Sequence, residues 1–351
     1  VAKRSLVKKR GTGSLRQLAQ AIGVTRVARV TGLDRTGVEV ACAVRPNGHL
    51  LQVSNGKGPD WETAAASALF EATELWAAEH PPAHGLRWAS ARQLRREGNE
   101  VWDPLDLGDE GGALWSEHTH LAWLRAQCVH RRGEVWVPAQ AAYSPPDDAS
   151  AIGPAVLQWT SNGLAAGLRR ERAVSHALAE VMEREALCRA MPEGWTGEAI
   201  RRLQRSRWSR DGFGVRVLDV TPARWAWPVA AAVIEEGPES VIGATAGYAC
   251  RPRWNDAVTA AVLEAAQSRL TDIHGAREDV VEPTGRKVEL SQRAMRPSGS
   301  TPCASSRAAT VREAIASLRR PVAIVDLTSP LSGVHVVKAW VAGFRVSELL
   351  K

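Results

Sequence analysis

Three long helical stretches in this chain are apolar on almost every face, and that limits what it can fold into more than any other feature. In Ala64–Glu79 the residues Ala64, Ala65, Ala66, Ala68, Leu69, Phe70, Ala72, Leu75, Trp76 and Ala77 are all apolar. Ser67, Glu71 and Glu74 remain on one narrow stripe. In Ala173–Met191 the stripe is His176, Glu180 and Glu183, with Arg184 alongside. In Asn255–Ile273 it is Glu264, Gln267 and Thr271, with Arg269 nearby. A helix with so little polar surface belongs inside a core. A carboxylate on such a helix is costly unless it meets a cation or strong donors. The pairs Glu71/Glu74 and Glu180/Glu183, each three residues apart, therefore point to a hard-cation site. Mg²⁺ suits it, because it takes oxygen ligands, keeps waters and is shared with phosphates. The competing reading is a structural ion network in which Arg184 and Arg269 neutralise the carboxylates.

The remaining pattern places strands between these helices. Leu15–Ile22 reads as a short helix ended by Gly23. Val38–Val44 and Leu50–Ser54 read as a hairpin around Pro46-Asn47-Gly48. Strands are expected at Val215–Val220, Val229–Glu235 and Val241–Ala246. A helix at Val311–Leu318 and strands at Val322–Asp326 and His335–Val341 complete the pattern. Strand pairs interleaved with long helices predict an α+β class, one domain with mixed or antiparallel sheets. Its expected span is 23–345, after a basic segment and short helix at 1–22 and before a tail at 346–351. Residues 80–115 are expected as a peripheral insertion and 283–308 as a mobile loop.

Composition excludes some functions. No apolar run reaches the roughly 18 residues a membrane span needs, and the first residues lack a signal-peptide pattern. A cytoplasmic protein is expected. Cys42, Cys128, Cys188, Cys250 and Cys303 are scattered, so they read as small buried hydrophobes and not as zinc ligands. His118 and His120 share a strand-like face but have no third ligand. The net charge is +7, yet its arginines are spread out, so nucleic acid is not the expected partner. No Walker, kinase or dinucleotide glycine motif is present. Ser54-Asn55-Gly56-Lys57-Gly58 could cradle an anion but in isolation reads as a turn. Thr160-Ser161-Asn162-Gly163, ahead of the second helix, reads the same way.

Taken together and in order, these segments resemble the YcaO family. GVTRVARVTGLDRTGVEVACAVRPNG (23–48) resembles its opening strands. VSNGKG (53–58) with SALFEATELWAAE (67–79) resembles its Gly-Lys-Gly turn and first acidic helix. TSNGLAAG (160–167) with ALAEVMERE (177–185) resembles its SNG turn and ExxER helix. VLEAAQSRLTDIHGARED (262–279) resembles its EAxQSR segment. The resemblance implies ATP and Mg²⁺ as cofactors, the metal held by Glu71, Glu74, Glu180 and Glu183. It places Ser14, Lys57, Ser67, Ser161, Asn162, Arg184, Glu264, Gln267, Arg269 and Arg277 near the nucleotide. It implies phosphorylation of a backbone amide oxygen in a peptide or protein substrate, and a homodimer.

The chain departs from the family pattern at Leu75, Leu168 and Arg172, and Val341-Ala342-Gly343 replaces the usual VPG. These departures bear on nucleotide turnover. The chain stops at SELLK without the Pro-x-Pro-x-Pro tail common in azoline-forming members. Its VTGLDRTGV and AVRPN segments look more like members paired with TfuA proteins. The expected reaction is thus thioamidation with a TfuA-like or leader-peptide-binding partner. Azoline or macroamidine formation is the alternative, and an ATP-binding scaffold or regulator the non-enzyme one.

Overall fold

Every long helix here is clamped between sheets, which is why its sequence is apolar nearly all round. The computed structural model describes residues 15–82, 84–108, 114–129, 133–145, 152–190, 201–202, 212–237, 242–275, 308–329 and 333–345. A short helix α1 (15–21) leads into β1 (Arg26–Arg29), β2 (Glu39–Val44) and β3 (Val53–Gly58), which form a meander. The first long helix, α2 (Trp61–Glu79), follows at once, its N-terminus capped by Asp60, which accepts from Thr63 N. A six-stranded sheet comprises β4 (Arg87–Ala89), β5 (Leu121–Cys128), β6 (Glu134–Pro138), β7 (Leu164–Gly167), β12 (Val322–Asp326) and β13 (His335–Val341). Helix α3 (Ala91–Arg96) follows β4, and α4 (Arg170–Ala190) follows β7. A four-stranded sheet holds β8 (Arg201–Arg202), β9 (Phe213–Asp219), β10 (Val229–Glu236) and β11 (Thr245–Cys250). Helix α5 (Trp254–His274) follows β11 and ends at Gly275, whose φ of 59° forms a left-handed cap. Helix α6 (Val311–Leu318) starts with a capping box between Thr310 and Glu313. The named strands pair antiparallel throughout. The α+β class read from the sequence is the observed one.

The same device seats α2 and α5. A Cβ at Gly56 of β3 would lie 2.2 Å from Ala64 O and 2.1 Å from Ala68 N. A Cβ at Gly247 of β11 would lie 2.3 Å from Ala261 O and 2.2 Å from Ala265 N. Glycine on the strand and alanines on the facing helix turns let the two backbones touch. Glu71 lies three residues beyond Ala68, and Glu264 three beyond Ala261. Close docking of the helices therefore fixes where these carboxylates point.

Three expectations are corrected. Ser54–Gly58 is not a turn: it lies inside β3, paired residue by residue with β2 from Glu39↔Gly58 to Val44↔Val53. The glycines are there for helix contact, and a turn reading cannot see that. The Ser161–Gly163 turn opens β7 and not α4, so it is no helix N-terminus. The strand expected at Val241–Ala246 runs from Thr245 to Cys250. Strands β5 and β6 went unassigned in the sequence because the first half of β5 is buried on both faces, which erases the alternation. Residues 80–115 supply edge strand β4 and helix α3, with Leu94 fully buried. The segments 1–13, 283–307 and 346–351 lie outside the described residues.

Gly56→Ala and Gly247→Ala are each expected to cost about 3 kcal/mol or more, since backbone cannot move aside as a side-chain tip can. Urea unfolding of the two variants checks this. A loss under about 1 kcal/mol would mean that helix and strand are not in backbone contact.

Candidate functional site

The acidic stripes of α2, α4 and α5 come together at one place in the fold, here called the hollow. Glu71 and Glu74 come from α2, Glu180 and Glu183 from α4, and Glu264 from α5. They are close enough to act on each other's ionisation. Burial, then Glu180 and Glu71, hold Glu74 well above the ordinary carboxylate range, although its Oε1 accepts a 2.6 Å bond from Ala166 N. Burial also pushes Glu180 up to about 7, with Glu264 and Glu71 adding to it against Arg184 and Lys338. Glu183 is likewise raised by burial and by Glu264. For Glu264 burial is outweighed by Lys57 and Arg184, so it stays ionised below its usual value.

Cations ring this hollow. Lys57 Nζ of β3 lies 3.0 Å from Glu264 Oε2, and both side chains are about a quarter exposed (23% and 25%), so the pair opens toward solvent. Arg184 Nε lies 3.9 Å from Glu183 Oε1. Arg251, just past β11, acts on Glu183, Glu264 and His176. Burial, then Arg251 and Lys57, lower the pKa of the His176 imidazole, against Glu264. Tyr248 of β11 belongs to the same field, its phenol raised by burial and by Glu264. Lys338 of β13 approaches Glu180 from the sheet side, and burial lowers its ammonium to about 7.

Among the described residues no three His, Cys, Asp or Glu side chains converge as a finished ligand cage. The donor set still fits Mg²⁺. These are hard oxygens whose mutual repulsion a divalent cation would relieve, and Mg²⁺ needs only one or two direct carboxylates because it keeps its waters.

The remaining sequence candidates divide. Ser67 lies one helical turn before Glu71, and Gln267 three residues beyond Glu264, both half-buried. Arg269 goes elsewhere. Its guanidinium is taken up by Asp34 at 3.1 Å and Glu236 at 2.5 Å, 5.1 Å over the Phe213 ring. Its partners are thus not the glutamates of the helix stripes that the ion-network reading gave it. Ser161 is exposed, and Asn162 lines a cleft beside the hollow. Ser14 and Arg277 lie outside the described residues. Of the departures, Leu75 is buried on the core side of α2 and Leu168 is exposed between β7 and α4. Sequence reasoning missed Arg251, Tyr248 and Lys338. Only Lys338 left a signal, a lone charge inside the apolar run HVVKAWV.

A cluster of buried carboxylates at the junction of three helices, rimmed by Lys and Arg, is the donor set that a metal–polyphosphate site in an α+β protein would need. The family model described as "YcaO cyclodehydratase, ATP- and Mg²⁺-binding" matches residues 55–345. This chain belongs to the YcaO family. It is similar to an uncharacterized protein of Mycobacterium tuberculosis, 32% identical over 269 residues. That match covers 74% of this chain and 59% of the relative, so the chain spans less than two thirds of that relative's length. An uncharacterized protein encoded in the tfuA 3′ region of Rhizobium leguminosarum bv. trifolii is 32% identical over 292 residues, 76% of this chain and 66% of the relative. In fold it is similar to YcaO from Methanopyrus kandleri bound with AMPPCP and Mg²⁺. That match has a TM-score of 0.73 and 24% identity, and covers 97% of this chain and 90% of that one. No described helix is long and apolar enough to cross a membrane.

The raised carboxylates set a pH dependence. Glu180 and Glu183 bind protons more tightly folded than unfolded, so their contribution to the metal-free fold's stability is lost as pH rises from about 5 through about 7 for Glu180 and about 8 for Glu183. Mg²⁺ needs the deprotonated forms and should restore stability most at the alkaline end. Thermal melts across that range, with and without Mg²⁺ and nucleotide, check the sign. A metal-free melting temperature that climbs from pH 6 to 8 would contradict it.

Proposed function

We propose that this protein spends ATP, with Mg²⁺, to activate a backbone amide of a peptide or protein substrate. The observation that carries this reading is the set of five mutually repelling carboxylates, ringed by cations, in a YcaO-family chain. Glu71, Glu74, Glu180 and Glu183 would hold the metal. Bound there, Mg²⁺ supplies positive charge that neutralises the triphosphate and the leaving phosphate. Lys57, Arg184 and Arg251 would take phosphate oxygens. Lys57 leaves Glu264 at little cost, because that pair is already open to water. Phosphorylation would turn the amide oxygen, a poor leaving group once a nucleophile has added to the carbon, into departing phosphate. The developing charge falls among fixed cations in a preorganised hollow.

For the product we infer a thioamide, formed with a TfuA-like partner protein. The support is the relative encoded in the tfuA 3′ region. Azoline formation is the second reading, favoured by the cyclodehydratase description of the family.

Phosphate release from ATP, stimulated by substrate peptide, tests the chemistry. Glu180→Gln and Lys57→Met are each expected to lower it about 100-fold or more while leaving the melting temperature within a few degrees. Unchanged turnover in Glu180→Gln would sink the proposal. The product's mass then separates the two reactions: exchange of oxygen for sulfur marks a thioamide, loss of water an azoline.

A further inference from the structure

Four arginines far apart in the chain come together at one exposed surface. Trp225, in the turn between β9 and β10, stacks on Phe344, just past β13, with ring centres 5.8 Å apart. The Arg189 guanidinium, at the end of α4, lies 5.7 Å from the centre of the Trp225 ring and 5.8 Å from that of Phe344. Arg224 precedes Trp225, and Arg345 follows Phe344. A Cβ at Gly343 would lie 3.1 Å from Arg320 Nη1, which puts that guanidinium on the same turn. All four arginines are open to solvent, Arg189 with 51% of its side chain. Among the described residues only Arg189 of the four has a carboxylate within ion-pair distance, Glu185 at 2.7 Å. The other oxygen of Glu185 is already taken by Arg345 N at 2.9 Å.

The surface also has an apolar edge. Gly343 N donates to Asp106 O at 2.8 Å, so the turn 103–108 packs on the arginine-bearing one. In it Leu105 is 61% exposed. Asp103 and Asp106 flank this leucine, their carboxylates holding Leu105 N and Asp103 N at 3.0 Å each. Guanidinium groups gathered in this way repel one another and call for counter-charge. A phosphodiester strand would supply it but would run onto Asp103 and Asp106. The Trp225 ring is moreover already engaged by Phe344 and Arg189, where a single-strand-binding surface keeps its aromatics free for bases. A peptide that is acidic with an apolar residue suits both parts. Carboxylates match the arginine forks, and the apolar side chain covers Leu105.

We propose that this surface docks an acidic segment of the peptide or protein substrate, its carboxylates on Arg189, Arg224, Arg320 and Arg345 and an apolar side chain on Leu105. Phe344 joins the docking surface to the interior. It also walls a cleft with Leu157 and Trp340 that reaches Val181, the residue after Glu180 on α4. A segment held on the arginines would bring the chain that continues from it beside this cleft. That the docked chain is the one modified rests on the amide-activation reading above; the docking rests on charge and geometry.

The probe is a fluorescein-labelled peptide of about twelve residues built on the repeat Glu-Glu-Leu, followed by anisotropy on the full chain at low salt, where screening is least. Binding to the unaltered chain is expected, weakened about ten-fold in the double variant Arg224→Glu, Arg345→Glu. The double variant Arg16→Glu, Arg26→Glu alters exposed residues of α1 and β1 and makes the same change in net charge. It should leave the affinity within about two-fold. Circular dichroism confirms that both variants are folded. The same peptide with Lys for Glu should not bind. No binding by the unaltered chain, equal affinity in the two variants, or equal binding of the Lys peptide would each overturn the proposal. So would displacement of the probe by a single-stranded oligonucleotide at lower concentration than by unlabelled peptide. Calorimetric titration of the unaltered chain with ATP and Mg²⁺ runs alongside. Peptide binding without nucleotide binding keeps the docking surface and overturns the ATP reading, and the reverse overturns the docking surface alone.

Discussion

Repulsion among carboxylates organises this protein. Glu74, Glu180 and Glu183 each sit where protein has displaced much of the water, and each raises the cost of ionising its neighbours. A chain selected only for stability would not gather them. Lys57, Arg184, Arg251 and Lys338 offset part of the repulsion, and Lys57 with Arg184 holds Glu264 below its usual pKa. A divalent cation bound there would relieve the residual imbalance. Strain of this kind must be held by the surrounding fold, and here the three sheets hold it.

Holding it depends on backbone contact. Gly56 against Ala64 and Ala68, and Gly247 against Ala261 and Ala265, bring α2 and α5 onto their strands with no side chain between. Gly163, with φ of 77°, is seated by Ala339 O and Val181 in a like manner and anchors the start of β7. Small residues give the helices one permitted depth and rotation. The carboxylates one or two turns further along then have one direction in which to point. The ion pair of Arg45 with Glu79, backed by His49 N and Leu50 N, locks the far end of α2 to the β2–β3 turn.

Much of this was legible in the chain. The helices Trp61–Glu79, Arg170–Ala190 and Trp254–His274 announced themselves because apolar residues all round, broken by one polar stripe, have few explanations. The strands Val322–Asp326 and His335–Val341 read correctly to the residue and the helix was expected near its observed span Val311–Leu318, having short apolar runs or a clear cap. Ser54–Gly58 misled, since glycine in a strand that meets a helix looks the same as glycine in a turn. Strand β5 was silent because burial on both faces leaves no alternation to read.

Sequence alone determined that glutamates ride on buried helices, since helical spacing puts Glu71 with Glu74 and Glu180 with Glu183 on single stripes. Local periodicity carries that information, and tertiary structure does not alter it. What only the fold decided is which charges meet. Arg184 and Arg269 sit beside their acidic stripes equally in the sequence. Packing turns Arg184 toward the hollow and gives Arg269 to Asp34 and Glu236 on the far side of α5. Lys57, Arg251 and Lys338 reach the same hollow from three different strands or strand ends, across separations of up to 281 residues. No local pattern encodes such distances, because they are set by the stacking of sheets on helices and not by the order of residues along the chain.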